Sequence, residues 1–131
     1  MVYDDNEVTR ERIEILRRAW QERARKQEQE IASRRQEALA KARRAAALLR
    51  EKYGARRVYL YGSLAWSPGF TTHSDIDLLV EGLQPHFVLE FWRVLAEIEE
   101  ITVPFPPSII LAEDAAPGLL ERVRKEGVEL P

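Results

Sequence analysis

Leu60-Tyr61-Gly62-Ser63-Leu64-Ala65-Trp66-Ser67-Pro68-Gly69-Phe70-Thr71-Thr72-His73-Ser74-Asp75-Ile76-Asp77-Leu78-Leu79-Val80 decides the fold of this chain. Arg57 to Tyr61 is a β-branched and aromatic run that reads as a strand. Gly62-Ser63 follows at once, Leu64 to Trp66 looks like the first turn of a short helix, and Ser67-Pro68-Gly69 is a loop. Ile76 to Val80 is a second strand, ended by Glu81-Gly82. A glycine where a strand meets a helix lets an anion approach the backbone, and the N–H groups there favour a phosphate. Asp75 and Asp77 stand two apart, and side chains two apart on a strand point to one face, so two carboxylates converge. Like charges held together are costly unless a cation offsets them, and Mg²⁺, with oxygen ligands, also bridges nucleotide phosphates. The plainer reading of the same residues is an edge strand with a polar face after an ordinary turn.

On the N-terminal side, Glu7 to Lys52 contains no Gly and no Pro and is dominated by Arg, Glu, Gln and Ala. This predicts one long helix, or two with a soft joint, capped by Asp5 or Asn6 and closed by Tyr53-Gly54. At 1.5 Å per residue it would span about 69 Å, more than the rest of the chain needs to cover itself. Ile13, Leu16 and Trp20 fall at helical spacing, Gln21 to Glu30 is almost wholly polar, and Ala38 to Leu49 should pack on the domain. Ala24, Ile31, Ala38 and Ala45 fall seven apart, a coiled-coil seam through which copies could associate. The expected division is therefore 1–37, an extended helical arm for homo-oligomerisation or partner binding, and 38–131, the globular domain.

Beyond the second strand, Pro85 suits the first turn of a helix carrying Phe87, Phe91, Val94, Leu95 and Ile98 as one apolar stripe. Val103 to Pro107 is a stiff loop, Ser108 to Leu111 a third strand, Pro117 to Glu126 a helix stopped by Gly127, and Val128 to Leu130 a final strand. The fold class expected is α+β, a small sheet flanked by helices behind a long N-terminal α-helix. Tyr59, Tyr61, Trp20 and Trp92 are assigned to packing, and His86 to the surface or a helix start. Trp66 and Phe70 are candidates for stacking on a base or meeting a partner, and His73 for touching a phosphate or an acceptor.

Composition narrows the chemistry. The 131 residues have no cysteine and two histidines, which excludes disulfides, thiolate metal sites and a multi-histidine zinc cage, so any metal needs oxygen ligands. No apolar run approaches a membrane span and the first ten residues lack a signal-peptide pattern, so no membrane is expected and the cytoplasm is the expected location. The net charge of −2 hides an asymmetry: residues 1–52 carry 14 Lys/Arg against 10 Asp/Glu, and residues 53–131 carry 6 against 12. Acids interleave with the bases of the arm, breaking up the field a phosphate backbone would want, so nucleic acid is not an expected partner.

The combination of strand, Gly62-Ser63, eleven residues, then Asp75-Ile76-Asp77 resembles the signature of the nucleotidyltransferase superfamily that includes DNA polymerase beta, and the short chain resembles its minimal (MNT) branch. The resemblance covers roughly Ala38 to Pro131 and implies a nucleotidyltransferase fold with a small mixed β-sheet. It implies that Gly62 and Ser63 hold the β and γ phosphates of a nucleoside triphosphate, ATP being the expected one. It implies that Asp75 and Asp77 are the catalytic carboxylates and bind the Mg²⁺ that carries the nucleotide. The family transfers a nucleoside monophosphate to a hydroxyl and releases pyrophosphate.

A third carboxylate usually stands at the start of the later strand in that family, and the best matching position here is Ser108. Serine is neither a charged Mg²⁺ ligand nor a useful base near neutral pH. Glu113 and Asp114 lie about 17 to 20 Å further along at 3.3 Å per residue. Three readings follow. One is an enzyme that modifies a hydroxyl of a partner protein, the resemblance implying a HEPN-domain protein and an antitoxin role. The other is a catalytically impaired binding module acting by contact. A third makes the N-terminal helix the functional element, with the domain as an assembly platform.

Overall fold

The computed structural model describes residues 5–67, 70 and 74–131. Along the chain run α1 (Asp5–Glu51), β1 (Arg57–Tyr61), α2 (Ser63–Trp66), β2 (Ile76–Glu81), α3 (Pro85–Leu89), α4 (Phe91–Thr102), β3 (Pro107–Leu111), a 3₁₀ turn (Ala112–Asp114), α5 (Pro117–Glu126) and β4 (Val128–Leu130). The chain divides into two compact units, one reaching to Ser33 and one from Arg34 to Pro131.

The long helix forms without a joint, since nothing in its sequence interrupts the hydrogen-bond ladder. It already includes Asp5 and Asn6, so its cap lies outside the described residues. In the first unit every described side chain from Thr9 to Ser33 is exposed. In the second, Ala38, Ala42, Ala45, Ala46 and Leu49 are fully buried, because alanine lets a helix backbone lie close against a sheet. Ala38 and Ala45 are thus taken up by the domain core, while Ala24 and Ile31 are exposed, and the seven-residue seam is not one surface. Gly54, at φ 69°, turns the chain out of the helix, and Ala55 donates its N–H to the Leu49 carbonyl at 3.0 Å.

The four strands form one mixed sheet in the order β3-β2-β1-β4. β1 pairs antiparallel with β2 and with β4, and β2 pairs parallel with β3. Alternation along the strands makes two cores. Val58, Leu60, Ile76, Leu78 and Val80 pack with α1 and with Val94 and Ile98 of α4, while Tyr59, Tyr61 and Leu79 pack with Val123 of α5. The result is an α+β domain with helices on both faces of the sheet, consistent with the nucleotidyltransferase fold.

Three expectations change. The helix that begins at Pro85 is interrupted at Glu90 (φ −111°, ψ 33°), giving α3 and α4. Phe87 and Phe91 keep to the helical period on either side of the break, so the apolar pattern alone reads as continuous. Within that stripe, Val94 and Ile98 are fully buried, Phe87 and Phe91 pack partly buried against the same core, and Leu95 is only half-buried. Trp20 and Trp92, assigned to packing, are each 67% exposed. A tryptophan's size says nothing about whether a second surface lies opposite its face of a helix, and the Trp92 ring instead carries the Arg93 guanidinium 5.2 Å from its centre. Tyr59 and Tyr61 are buried as expected. His86 is exposed at the start of α3, against Phe87. No helix among the described residues is long and apolar enough to cross a membrane.

Candidate active site

The C-terminal end of β1 leads straight into Gly62, at φ 74° and ψ −155°, a region essentially reserved for glycine. Its carbonyl accepts the N–H groups of Ala65 (3.1 Å) and Trp66 (2.8 Å), which winds α2 from Ser63. At four residues α2 has little macrodipole, so any hold on an anion rests on the backbone N–H groups at the turn. The turn is fastened from both sides. Arg35 of α1 donates from Nη1 to the Ser67 carbonyl at 2.9 Å, and Trp66 donates from Nε1 to the Glu126 carbonyl at 2.9 Å.

Tyr61 stands opposite Asp77 across the antiparallel pair, and Asp77 stands opposite Ser108 across the parallel one. The three residues line up on adjacent strands at one level of the sheet. A Cβ placed on Gly62 would lie 2.1 Å from Asp77 Oδ2 and 2.9 Å from its Cγ. The glycine backbone and the carboxylate are therefore in direct apposition, and only a residue without a side chain fits. Asp75, exposed, lies just before β2, close enough for its charge to act on the half-buried Asp77.

Burial first, and the Asp75 charge second, push Asp77 up from the usual carboxylate range to about 6, while the Ser108 hydroxyl, hydrogen-bonded to it, pulls the other way. The Tyr61 phenol is raised above its ordinary value by burial and by the same Asp77 charge. Tyr61, Asp77 and Ser108 form one electrostatic unit, with negative charge held where water is scarce.

The structure thus brings Gly62, Ser63, Asp77 and Ser108 to one end of β1, β2 and β3, with Asp75 beside them. Pairing of Val80 with Leu111 puts Glu113 and Asp114, both exposed, beyond the opposite end of β2. Among the described residues no group of three or more acidic or histidine side chains gathers into a cluster that could hold a metal. Of the loop candidates, Phe70 is a correction: it is fully buried and packs on Phe105 with ring centres 5.6 Å apart, so it cannot stack on a base. A Phe between Gly and Thr reads as an exposed loop aromatic because nothing local announces the pocket that takes it. Trp66 is partly buried beneath Arg122, whose guanidinium lies 4.1 Å from the ring centre. His73 lies outside the described residues. Arg35, unmarked in the sequence among many arginines of α1, is the residue that sequence reasoning missed; only its contact with Ser67 distinguishes it.

The family model for "Polymerase beta, Nucleotidyltransferase" matches residues 44–130. The chain belongs to the polymerase beta-like nucleotidyltransferase family. No curated protein matches it. The match covers β1 through β4, so the apposed Gly62 and Asp77 lie within the nucleotidyltransferase domain.

Replacing Gly62 by Ala is expected to cost about 3 kcal/mol or more, since the backbone conformation alone costs about 1–3 kcal/mol for other residues and Asp77 must also move. Ser63→Ala should cost under about 1 kcal/mol, and in both variants nucleotide binding should follow the same ranking. Urea unfolding monitored by circular dichroism checks the stabilities. Equal midpoints for the two variants would contradict the apposition of Gly62 and Asp77.

Proposed function

We propose that this nucleotidyltransferase domain binds a nucleoside triphosphate, ATP by the family resemblance, with its β and γ phosphates at the Gly62–Ser63 turn. Asp75 and Asp77 are the residues that would hold Mg²⁺, a divalent metal being typical of the family. They fit that ion: Mg²⁺ needs one or two protein carboxylates, its other ligands being phosphate oxygens and water. Asp77 is raised by burial first and by the Asp75 charge second, and that second part, repulsion between carboxylates, is what a divalent cation offsets. When bound, the metal supplies charge neutralisation along the triphosphate. The observation that carries the reading is the apposition of the Gly62 backbone to Asp77 Oδ2, which sets the glycine turn directly beside a carboxylate.

The reaction in this reading is attack of a hydroxyl oxygen on the α-phosphorus, with loss of the hydroxyl proton and departure of pyrophosphate. The acceptor is taken to be a hydroxyl of a partner protein. By the resemblance to the minimal branch that partner is a HEPN-domain protein, and the chain its antitoxin in the cytoplasm. Ser108 favours a second reading. It occupies the level of Asp77 on the neighbouring strand, where a carboxylate would serve as ligand and base, and its hydroxyl is spent on Asp77. In that case the domain binds nucleotide and partner without transferring.

Titration calorimetry with ATP, with and without Mg²⁺, tests the site, and transfer of labelled nucleotide to co-purified partners separates the two readings. Mg²⁺-dependent binding with transfer supports the enzyme, binding without transfer supports the module, and no binding overturns both.

A further inference from the structure

The helix before Ser33 carries an apolar face with nothing of its own to cover it. Ile13, Leu16, Trp20, Ala24 and Ile31 fall on one side at the 3.6-residue period, and all are exposed. Most helix stability in proteins comes from packing an apolar face, and an uncovered stripe about 27 Å long is the surface through which this helix would gain more. The charges beside it are sorted. On the far side, Glu14 pairs with Arg18 at 3.7 Å and Glu22 with Arg25 at 3.8 Å, satisfying one another within the helix. The charged residues flanking the stripe are left without ion pairs among the described residues: Arg10, Arg17 and Glu28 on one shoulder, Arg12, Arg23 and Glu30 on the other. Apart from the central Arg23, the basic ones sit toward the N-terminal end and the acidic ones toward the C-terminal end.

We propose that this face docks the same face of a second copy of the chain, antiparallel, centred near Glu22. Ile13 then meets Ile31 of the other copy, and Trp20 lies over the small Ala24. Arg17 faces Glu28 and Arg12 faces Glu30, each contact occurring twice by symmetry. Arg23 approaching its own copy near the two-fold is the unfavourable contact, which two long side chains relieve by splaying into water. A parallel pairing puts Arg12 beside Arg17 twice and Trp20 against Trp20, recovering Arg23 with Glu28 and Glu30 with an Arg35 already bonded to the Ser67 carbonyl. Complementarity of charge and of side-chain size both choose the antiparallel arrangement. The proposal is independent of the nucleotide site.

Sedimentation velocity on the full chain over a range of concentrations is expected to show a monomer–dimer equilibrium. Trp20→Glu should weaken it about 100-fold, by removing a central aromatic and adding charge, while the thermal unfolding of the domain stays unchanged because the side chain is exposed. Arg12→Glu with Arg17→Glu should weaken the dimer, and adding Glu28→Arg and Glu30→Arg should restore it. Because the chain has no cysteine, Ile13→Cys and Ile31→Cys proteins when mixed should cross-link to each other in preference to themselves. A monomer at every concentration, a Trp20→Glu protein that dimerises like the wild type, a charge swap that fails to restore, or an Ile13→Cys protein that links mainly to its own copies would each overturn the proposal.

Discussion

Ser108→Asp is expected to raise pyrophosphate-releasing turnover by about 10² to 10⁴, the range typical of general-base assistance. Ser108 stands opposite Asp77 on the parallel neighbour and is hydrogen-bonded to it, so an aspartate there would put a second carboxylate beside Asp77. The substitution has a cost that can be read separately. Asp77 is already raised to about 6 by burial and Asp75, and exchanging the Ser108 hydroxyl for a third negative charge pushes it higher. Without metal the variant should therefore be less stable than wild type at neutral pH, and millimolar Mg²⁺ should restore more stability to it than to wild type. Pyrophosphate release measured with the proposed partner protein gives the rate, and thermal melts with and without Mg²⁺ give the linkage. Robust turnover by wild type with no gain in the variant would place the missing function on another residue.

Asp77→Asn should abolish Mg²⁺-dependent nucleotide binding, a loss of at least about 100-fold, while making the metal-free protein more stable at neutral pH. The sign follows from the raised carboxyl. The native state holds a proton to about pH 6 that the unfolded chain releases near 3.8, so wild-type stability from this group is complete below about 3.8 and is lost as pH rises through about 6. A shift of that size would correspond to about 3 kcal/mol, reduced to roughly 1–2 kcal/mol because Asp77 is partly open to water, which screens it. Asparagine keeps the shape and never ionises, so the variant lacks this contribution and its stability advantage over wild type should grow from about pH 4 to 7. Urea unfolding at several pH values without metal checks this. A variant that is less stable than wild type at neutral pH, or that binds Mg²⁺-ATP equally well, would remove Asp77 from the proposed role.

Much of the site is legible in the residues because its constraints are local. A glycine between a strand and a turn already predicts an unusual backbone, and φ 74° with ψ −155° is what it adopts. Period-two alternation places Asp77 off the face that buries Ile76 and Leu78, and the strands fall within a residue of where the sequence puts them. The long helix follows from 46 residues without Gly or Pro. The family is legible in the spacing between Gly62-Ser63 and Asp75-Ile76-Asp77, because a turn and a strand two elements apart can meet in few ways.

What required tertiary structure is whatever depends on a surface brought from elsewhere in the chain. The order β3-β2-β1-β4 and the pairing of Asp77 with Ser108 are relations between strands distant along the chain, and periodicity within a strand cannot state which partner it takes or in what register. Burial of aromatics is decided the same way. Phe70 is enclosed because Phe105 arrives from the loop before β3, whereas Trp92 remains outside because α4 turns its other face to the sheet. Arg35 matters because Ser67 lies 32 residues further on at its fingertips. The sequence by itself determined the local conformations and the chemistry of the residues; the fold decided which of those residues share a point in space, since packing free energy belongs to pairs of surfaces and no single segment carries it.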